Sequence, residues 1–481
     1  MIDLGVLGPD AVPAAGWRGR RSLPWPPRWL AVPVVLAAAW FGLAAATASG
    51  SVGLTVLSSV PVGTQSQHVI AGDSLYVAEP TEIGGLVTAY GLRDGRMRWS
   101  NPVLLASTVF SFLAADGVLL AWVNAPGLPG DLTVALDEQT GQTLWTSPGV
   151  LQAVLPAQGR ALLTRAFPMD LALVPGSRPT AELGTEVAAV DLRDGRVAWQ
   201  YQTMAGCEHA IDAAPAAGAR MAVLCPSSPS PAPAATPGGT VPPKSEMDEL
   251  RTVDLATGRV DRTARLTLSV AVPPNPLAVL RLAGAPIRPV LSVAAGRILV
   301  GTAGDSAGGT VTLTVYDPAT LGPLWTRQMS DTDYGATSCA GELCLTDAYG
   351  LAVVDPDTGT VRWRTSKQAF TQPPGALAGR LLVEPPDGKS VALVDAGTGR
   401  PVLDLSGWRA VTGASEAVSI FARWQPQPDG RAWFATVTAD PPALRLVGFA
   451  PDVLQDRCTV DGDYLACQTL TQTLRVWRYR G

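Results

Sequence analysis

The chain has 481 residues and a formal net charge of −5, and only 16% of its residues are charged. A mildly acidic chain with no basic block is a poor ligand for nucleic acid, which excludes that class of partner. Hydrophobic residues make up 47%, so disorder of the whole chain is excluded, while 49 Gly and 42 Pro beside 14 Trp point to an all-β protein with many turns.

Residues 1–28 carry Arg18, Arg20, Arg21 and Arg28, and no further charge occurs before Asp73. Inside that window, Trp29 to Ala48 reads WLAVPVVLAAAWFGLAAATA. As a helix it would be about 30 Å long, enough to cross a bilayer core. The next Lys or Arg is Arg93, so the charge asymmetry predicts a cytoplasmic N-terminus at 1–28, a membrane-spanning helix at 29–49 and an extracytoplasmic remainder at 50–481. Two other readings stand beside a retained anchor. Ala46-Thr47-Ala48 has the form of a signal-peptide cleavage site. The third reading is an ordinary buried helix. No Cys lies near the segment to carry a lipid; the first is Cys207.

Beyond the apolar segment the chain repeats itself. Seven segments share an apolar strand, a turn built on Asp-x-x-Thr/Asp-Gly, and a short strand with Trp. The turn position is Gly91, Asp137, Asp191, Asp254, Asp317, Asp355 and Asp395 in turn. Eight residues later stands Trp99, Trp145, Trp199, Arg262, Trp325, Trp363 and Leu403. A strand led by Gly precedes each copy, as in GVLLAW at 117–122 and GRILVG at 296–301. The unit is thus strand, Gly turn, strand, loop, strand, Asp turn, Trp strand: four strands in an up-and-down sheet. Its length matches one propeller blade.

The physics of the unit is local. The Asp side chain accepts hydrogen bonds from turn N–H groups. Gly141, Gly195 and Gly359 supply the positive φ that a bulged hairpin turn needs. The Trp ring, on the outer strand, is expected to fill the wedge between neighbouring blades. Asp137, Gly141, Trp145, Asp191, Gly195, Trp199, Asp355, Gly359 and Trp363 are therefore read as fold determinants, not catalytic groups.

The pattern at Val134–Trp145 and Ala352–Trp363 resembles the repeat of the quinoprotein-type (PQQ-like) β-propellers. The resemblance covers roughly residues 60 to 481. That family includes quinone-dependent alcohol dehydrogenases and a non-enzymatic lipoprotein subunit of the bacterial outer-membrane assembly machine, so the resemblance implies the fold and not the activity. It implies a single propeller of four-stranded blades. Eight blades are favoured, with seven as the alternative. The tail from about 410 adds strands without the turn motif; Leu474–Tyr479 resembles the third strand of a unit, and an outer strand drawn from Val52–Val60 would close the ring. The stretch 226–245 (PSSPSPAPAATPGGTVPPKS) is low in complexity and reads as a surface loop in the fourth unit.

Six Cys fall in three pairs that flank or adjoin Gly-led hairpins: Cys207 and Cys225, Cys339 and Cys344, Cys458 and Cys467. Outside the cytoplasm these pairings are the natural disulfides.

Candidate chemistry is sparse. A quinone-dependent dehydrogenase would hold a quinone in the central channel, with calcium on carboxylate and amide oxygens. By the same resemblance it would carry a disulfide between adjacent Cys, yet no Cys-Cys pair occurs, and Asn is limited to Asn101, Asn124 and Asn275. There is no C-x-x-C-H haem motif. With only His68 and His209, neither a catalytic triad nor a zinc site around Cys207-Glu208-His209 has enough members. Asp331-Thr332-Asp333 and Asp461-Gly462-Asp463 lack the further ligands of a calcium loop. Gly301–Gly309 lacks the Lys and helix of a phosphate loop. No catalytic residue, metal or cofactor is therefore expected. The favoured reading is a membrane-tethered propeller that binds a protein or envelope partner. The alternative is an exported quinone-dependent oxidoreductase or small-ligand sensor using the channel. Trp408, Trp424 and Trp433 lie outside the repeat slot; exposed, they would mark a contact surface, and otherwise they pack inside a blade.

Overall fold

Each repeat unit folds into a four-stranded antiparallel sheet, and the described residues hold nine such sheets. The computed structural model describes residues 53–479 except 82–83, 106–107, 125–130, 168–183, 205–206, 213–217, 227–244, 270–289, 304–310, 330–334, 348, 367–368, 372–376, 378, 386–390, 412–419 and 426–430. The basic segment 1–28, the apolar segment 29–49 and nearly all of the low-complexity stretch 226–245 lie outside them. Among the described residues no helix is long and apolar enough to cross a membrane.

In chain order, blades 1 to 8 span 67–105, 108–148, 150–202, 208–269, 290–329, 335–365, 369–404 and 409–450. Blade 9 combines 453–479 with Leu54–Pro61. The middle strands are apolar on both faces because each blade is packed between two neighbours. In Val118–Asn124 of blade 2, Val118 and Leu120 join a core shared with blade 3, while Leu119, Ala121 and Val123 join one shared with blade 1. Period-two alternation thus serves two seams at once. Each of the nine buried clusters joins one pair of consecutive blades. The cluster of Val60, Leu75, Val77, Leu474 and Val476 joins blade 9 to blade 1, so the sheets form a closed ring.

Closure is made by the two ends of the ring. Leu54–Pro61 pairs antiparallel with Thr473–Tyr479, from Leu54 opposite Tyr479 to Pro61 opposite Thr473. This is the arrangement expected from Val52–Val60 and Leu474–Tyr479. The blade number is not the expected eight, nor seven, but nine. Blades 8 and 9 both lack the Asp turn, so counting motifs could not separate them. In blade 8, Arg431–Ala439 turns tightly into Pro442–Ala450. In blade 9 no such turn can exist, because the outer strand comes from the other end of the ring.

The topology gives the ring two unlike faces. The turn between the first and second strands and the Asp turn between the third and outer strands lie on one face, called here the hairpin face. The connections between second and third strands, and between blades, lie on the other. The three longest connections, 168–183, 227–244 and 270–289, all leave from strand ends on this second face.

Candidate functional site

The repeat's Asp residues are engaged in their own turns. Asp137 Oδ1 accepts hydrogen bonds from the backbone N–H of Thr140 at 2.8 Å and of Gln139 at 3.1 Å, and from the Thr140 hydroxyl at 2.9 Å. These donors, the Thr140 N–H first, hold its carboxyl below the usual carboxylate range. Asp355 is lowered in the same way, chiefly by the Thr358 N–H, and Asp395 chiefly by the Thr398 hydroxyl. Asp191 accepts from the N–H of Arg193 at 2.9 Å.

Each repeat Trp reaches across a seam into the next blade. Trp145 Nε1 donates to Leu192 O at 2.9 Å, and a Cβ placed on Gly195 would lie 2.5 Å from its Cγ. Trp199 donates to Leu255 O at 3.0 Å above Gly258, and Trp363 to Ala396 O at 2.7 Å above Gly399. Trp99 makes the same contact with Glu138 O and Gly141, and Trp325 with Pro356 O and Gly359. The turn Gly therefore has two reasons to lack a side chain. It carries positive φ, 67° at Gly195, and it forms the seat of the preceding blade's indole. The wedge-filling Trp was legible in sequence; its seat on the next Gly was not.

Two seams replace this lock. Between blades 4 and 5 the Trp slot holds the exposed Arg262. There the Gly slot holds Leu321, at φ 56° and 3% exposed, whose side chain joins the seam's core. Between blades 9 and 1, the buried Ser58 donates from Oγ to Leu92 O at 2.9 Å, the carbonyl that an indole would reach.

Charges on the hairpin face also tie blades together. Arg193 of blade 3 donates to Asp116 O of blade 2 at 2.6 Å. Arg160 of blade 3 donates to Ala256 O of blade 4 at 2.7 Å. Arg297 of blade 5 bonds through Nε to Asp357 of blade 6 at 3.0 Å. Within blade 1, Arg98 and Asp73 pair at 2.7 Å. Asp461-Gly462-Asp463 is the first hairpin turn of blade 9, where Gly462 O accepts from the Tyr479 hydroxyl at 2.6 Å.

His68 lies on the innermost strand of blade 1, beside blade 9. Its Nε2 is out of solvent contact and has no hydrogen-bond partner among the described residues. Burial, aided by Arg457, pushes its pKa down to about 4, against a backbone hydrogen bond with Ala466 that raises it. It is a neutral seam residue. His209, on the innermost strand of blade 4, is also lowered by burial. The two are in different blades.

The six Cys form three disulfides, and no Cys is free. Cys339–Cys344 and Cys458–Cys467 each bridge the first two strands of a blade, and Cys207–Cys225 ties the residue just before the first strand of blade 4 to its second strand, with Cα separations of 5.7, 4.0 and 4.2 Å. Cys458 and Cys467 stand directly opposite each other in register. Of the Trp residues outside the repeat slot, Trp408 packs against the seam of blades 7 and 8, and Trp424 against that of blades 8 and 9. Trp433 is half-buried and belongs to neither core.

The described residues do not fit a quinone with its calcium ion. Asn101 lies on the outer strand of blade 1 and donates to Gly141 O in the next blade. The side chain of Asn124 and all of Asn275 fall outside the described residues. Among the described residues no three His, Cys, Asp or Glu side chains converge as a cation site requires. Asp331-Thr332-Asp333, and Gly301–Gly309 beyond Ala303, lie outside the described residues.

Known proteins can now be set beside this geometry. BamB from Moraxella catarrhalis aligns with a TM-score of 0.38 at 14% identity, covering 89% of this chain and 100% of its own. Saccharomyces cerevisiae Sqt1 aligns with a TM-score of 0.41 at 9% identity, covering 90% and 100%. Quinohemoprotein alcohol dehydrogenase from Comamonas testosteroni aligns with a TM-score of 0.38 at 11% identity, covering 89% and 76%. No curated relative matches the sequence. Residues 43–216 and 307–451 match the family profile described as outer membrane protein assembly factor BamB, and the chain belongs to that PQQ-like β-propeller family.

Proposed function

We propose that this chain is a non-enzymatic, protein-binding propeller, held by residues 29–49 in a membrane with the ring outside the cytoplasm. One observation carries the reading. The polar residues that recur in the repeat are engaged within the ring: Asp137 and its counterparts in their turns, Trp145 and its counterparts in the next blade. The repeated chemistry builds a rigid platform, and membership of the BamB family suits a platform that presents a surface to a partner. The face opposite the hairpins is the presenting face, because the charges of the hairpin face tie blades to one another. Three disulfides and the Arg-rich start of the chain support an extracytoplasmic ring.

The test is crosslinking of the full chain in its native membrane, read by mass spectrometry. A reproducible protein partner is expected. Alkaline extraction should leave the chain in the membrane fraction, and external protease should reach the ring but not residues 1–28. Recovery of no partner, together with quinone-dependent dye reduction by the purified chain, would overturn the reading.

A further inference from the structure

The seam that closes the ring, between blades 9 and 1, buries three polar atoms that have no hydrogen-bond partner among the described residues: Ser66 Oγ, His68 Nε2 and Gln468 Oε1. Ser66 is 1% exposed and Gln468 is fully buried. Buried polar groups are as a rule hydrogen-bonded, because leaving one unpaired is costly. Three in one place call for an occupant that bonds them.

The backbone gathers the three side chains. Gln468 Nε2 donates to Gly63 O at 2.8 Å, and the Ser66 N–H donates to the same oxygen at 3.3 Å. Two donors on one acceptor set the Gln468 amide beside Ser66. His68 stands two residues after Ser66, and its imidazole donates to the backbone of Ala466, two residues before Gln468. Ala466 belongs to the core of this seam, and a strand repeats its facing every second residue, so Gln468 faces the same seam. The strand beside Gln468 is interrupted there. In Val453–Asp461, Val453 is opposite Thr469 and Cys458 is opposite Cys467, so Gln468 has no register partner while residues 454–457 bulge between them. A bulge bends its strand and breaks the ladder locally, here next to the three unpaired atoms.

The chemistry of the three atoms selects the occupant. With the other ring nitrogen donating to Ala466, His68 Nε2 is a bare acceptor. Gln468 Oε1 accepts only, because the Gln468 amide nitrogen is the atom that donates to Gly63. The Ser66 hydroxyl can donate or accept. Two acceptors cannot satisfy each other. One molecule with two donors and a lone pair matches all three atoms. A buried water makes about three such bonds to polar groups otherwise left unpaired. A metal ion fits poorly: the Arg457 charge lies close enough to act on His68, and among the described residues no three His, Cys, Asp or Glu side chains converge. We propose that one water molecule is a fixed part of the closing seam, donating to His68 Nε2 and Gln468 Oε1 and accepting from Ser66 Oγ. It ties the start of blade 1 to the second strand of blade 9 on the face opposite the hairpins. The Ser58 contact with Leu92 O ties the same two blades on the hairpin face. The seam without an indole is thus held at both ends by small polar contacts, whether or not the ring binds a partner.

The test is a crystal structure of the full chain at a resolution that shows ordered solvent. One water should lie within about 3.2 Å of each of the three atoms. A second measurement uses the fact that the chain has only two His. Solid-state nitrogen NMR of the full chain, labelled at histidine and assigned with His209→Gln, should show His68 protonated at Nδ1 with a hydrogen bond from water at Nε2. A third distinguishes a wet seam from a dry one. Ser66→Ala should lower the melting temperature by about 1–2 °C if the hydroxyl is bonded to water, whereas removing an unbonded hydroxyl would leave it unchanged or raise it. Absence of the water, a metal ion in its place, a proton on Nε2, or a Ser66→Ala variant that melts at or above the wild type would overturn the proposal.

Discussion

The indole of Trp145 lies on Gly195 of the following blade so closely that a Cβ there would come within 2.5 Å of its Cγ. This is a lock with two parts, and at the seam of blades 4 and 5 both are exchanged, for Arg262 and Leu321. At that seam, where the indole is absent, the buried Leu321 takes up the seat. Gly195→Leu alone should therefore destabilise the ring by more than about 3 kcal/mol, since it both clashes and strains a positive φ. Trp145→Ala should cost about 3 kcal/mol for the lost ring and hydrogen bond. Combining Gly195→Leu with Trp145→Arg should recover a large part of the loss. Urea unfolding of the two single variants and the double gives the coupling energy directly.

At the closing seam the hydroxyl of Ser58 takes the place of an indole N–H. Ser58→Ala should cost about 1–2 kcal/mol, because it leaves the buried Leu92 carbonyl without its donor. Limited proteolysis should show the cost as earlier release of Leu54–Pro61 than of any internal outer strand.

His68 makes the same seam sensitive to acid. Its folded pKa, about 4, lies below the unfolded value of 6.5, so the unfolded chain takes up the proton first. The stability it contributes is fully present above pH 6.5 and is lost as pH falls toward about 4. The contribution is at most about 3 kcal/mol. His68→Gln should flatten the fall in urea midpoint across that window, measured between pH 7 and pH 4 on both proteins.

The disulfides should differ in their contribution. Loop-closure entropy grows with the span, which is 18 residues for Cys207–Cys225 and 5 for Cys339–Cys344. Replacing both Cys by Ser should cost about 3 kcal/mol for the first and about 2 kcal/mol for the second. Thermal melts of the two double variants, with thiol counts, check the order.

Much of this protein could be read from spacing. The eight-residue spacing between the turn position and the outer-strand slot, Asp137 and Trp145 in blade 2, recurs in seven segments, and it encodes a turn and an outer strand through local hydrogen bonds and φ preferences. Pairing of Leu54–Pro61 with Thr473–Tyr479 was also legible, because one end lacked an outer strand and the other had one to spare. The count of nine was not. Blades 8 and 9 are sheets without the motif, and an apolar alternation does not say where one sheet stops.

Sequence alone determined what is local: the four-stranded unit, the Asp and Gly turns, the three Cys pairs at Gly-led hairpins. Only the tertiary structure decided what each unit touches. Trp145 meets Gly195, Leu321 fills the seam where Arg262 stands in the Trp slot, and Trp433 stays half-exposed where Phe421 is buried, all because blades pack face to face. A side chain's surroundings in a ring depend on the lengths of the neighbouring strands and on the residue across the seam, and neither is written at its own position.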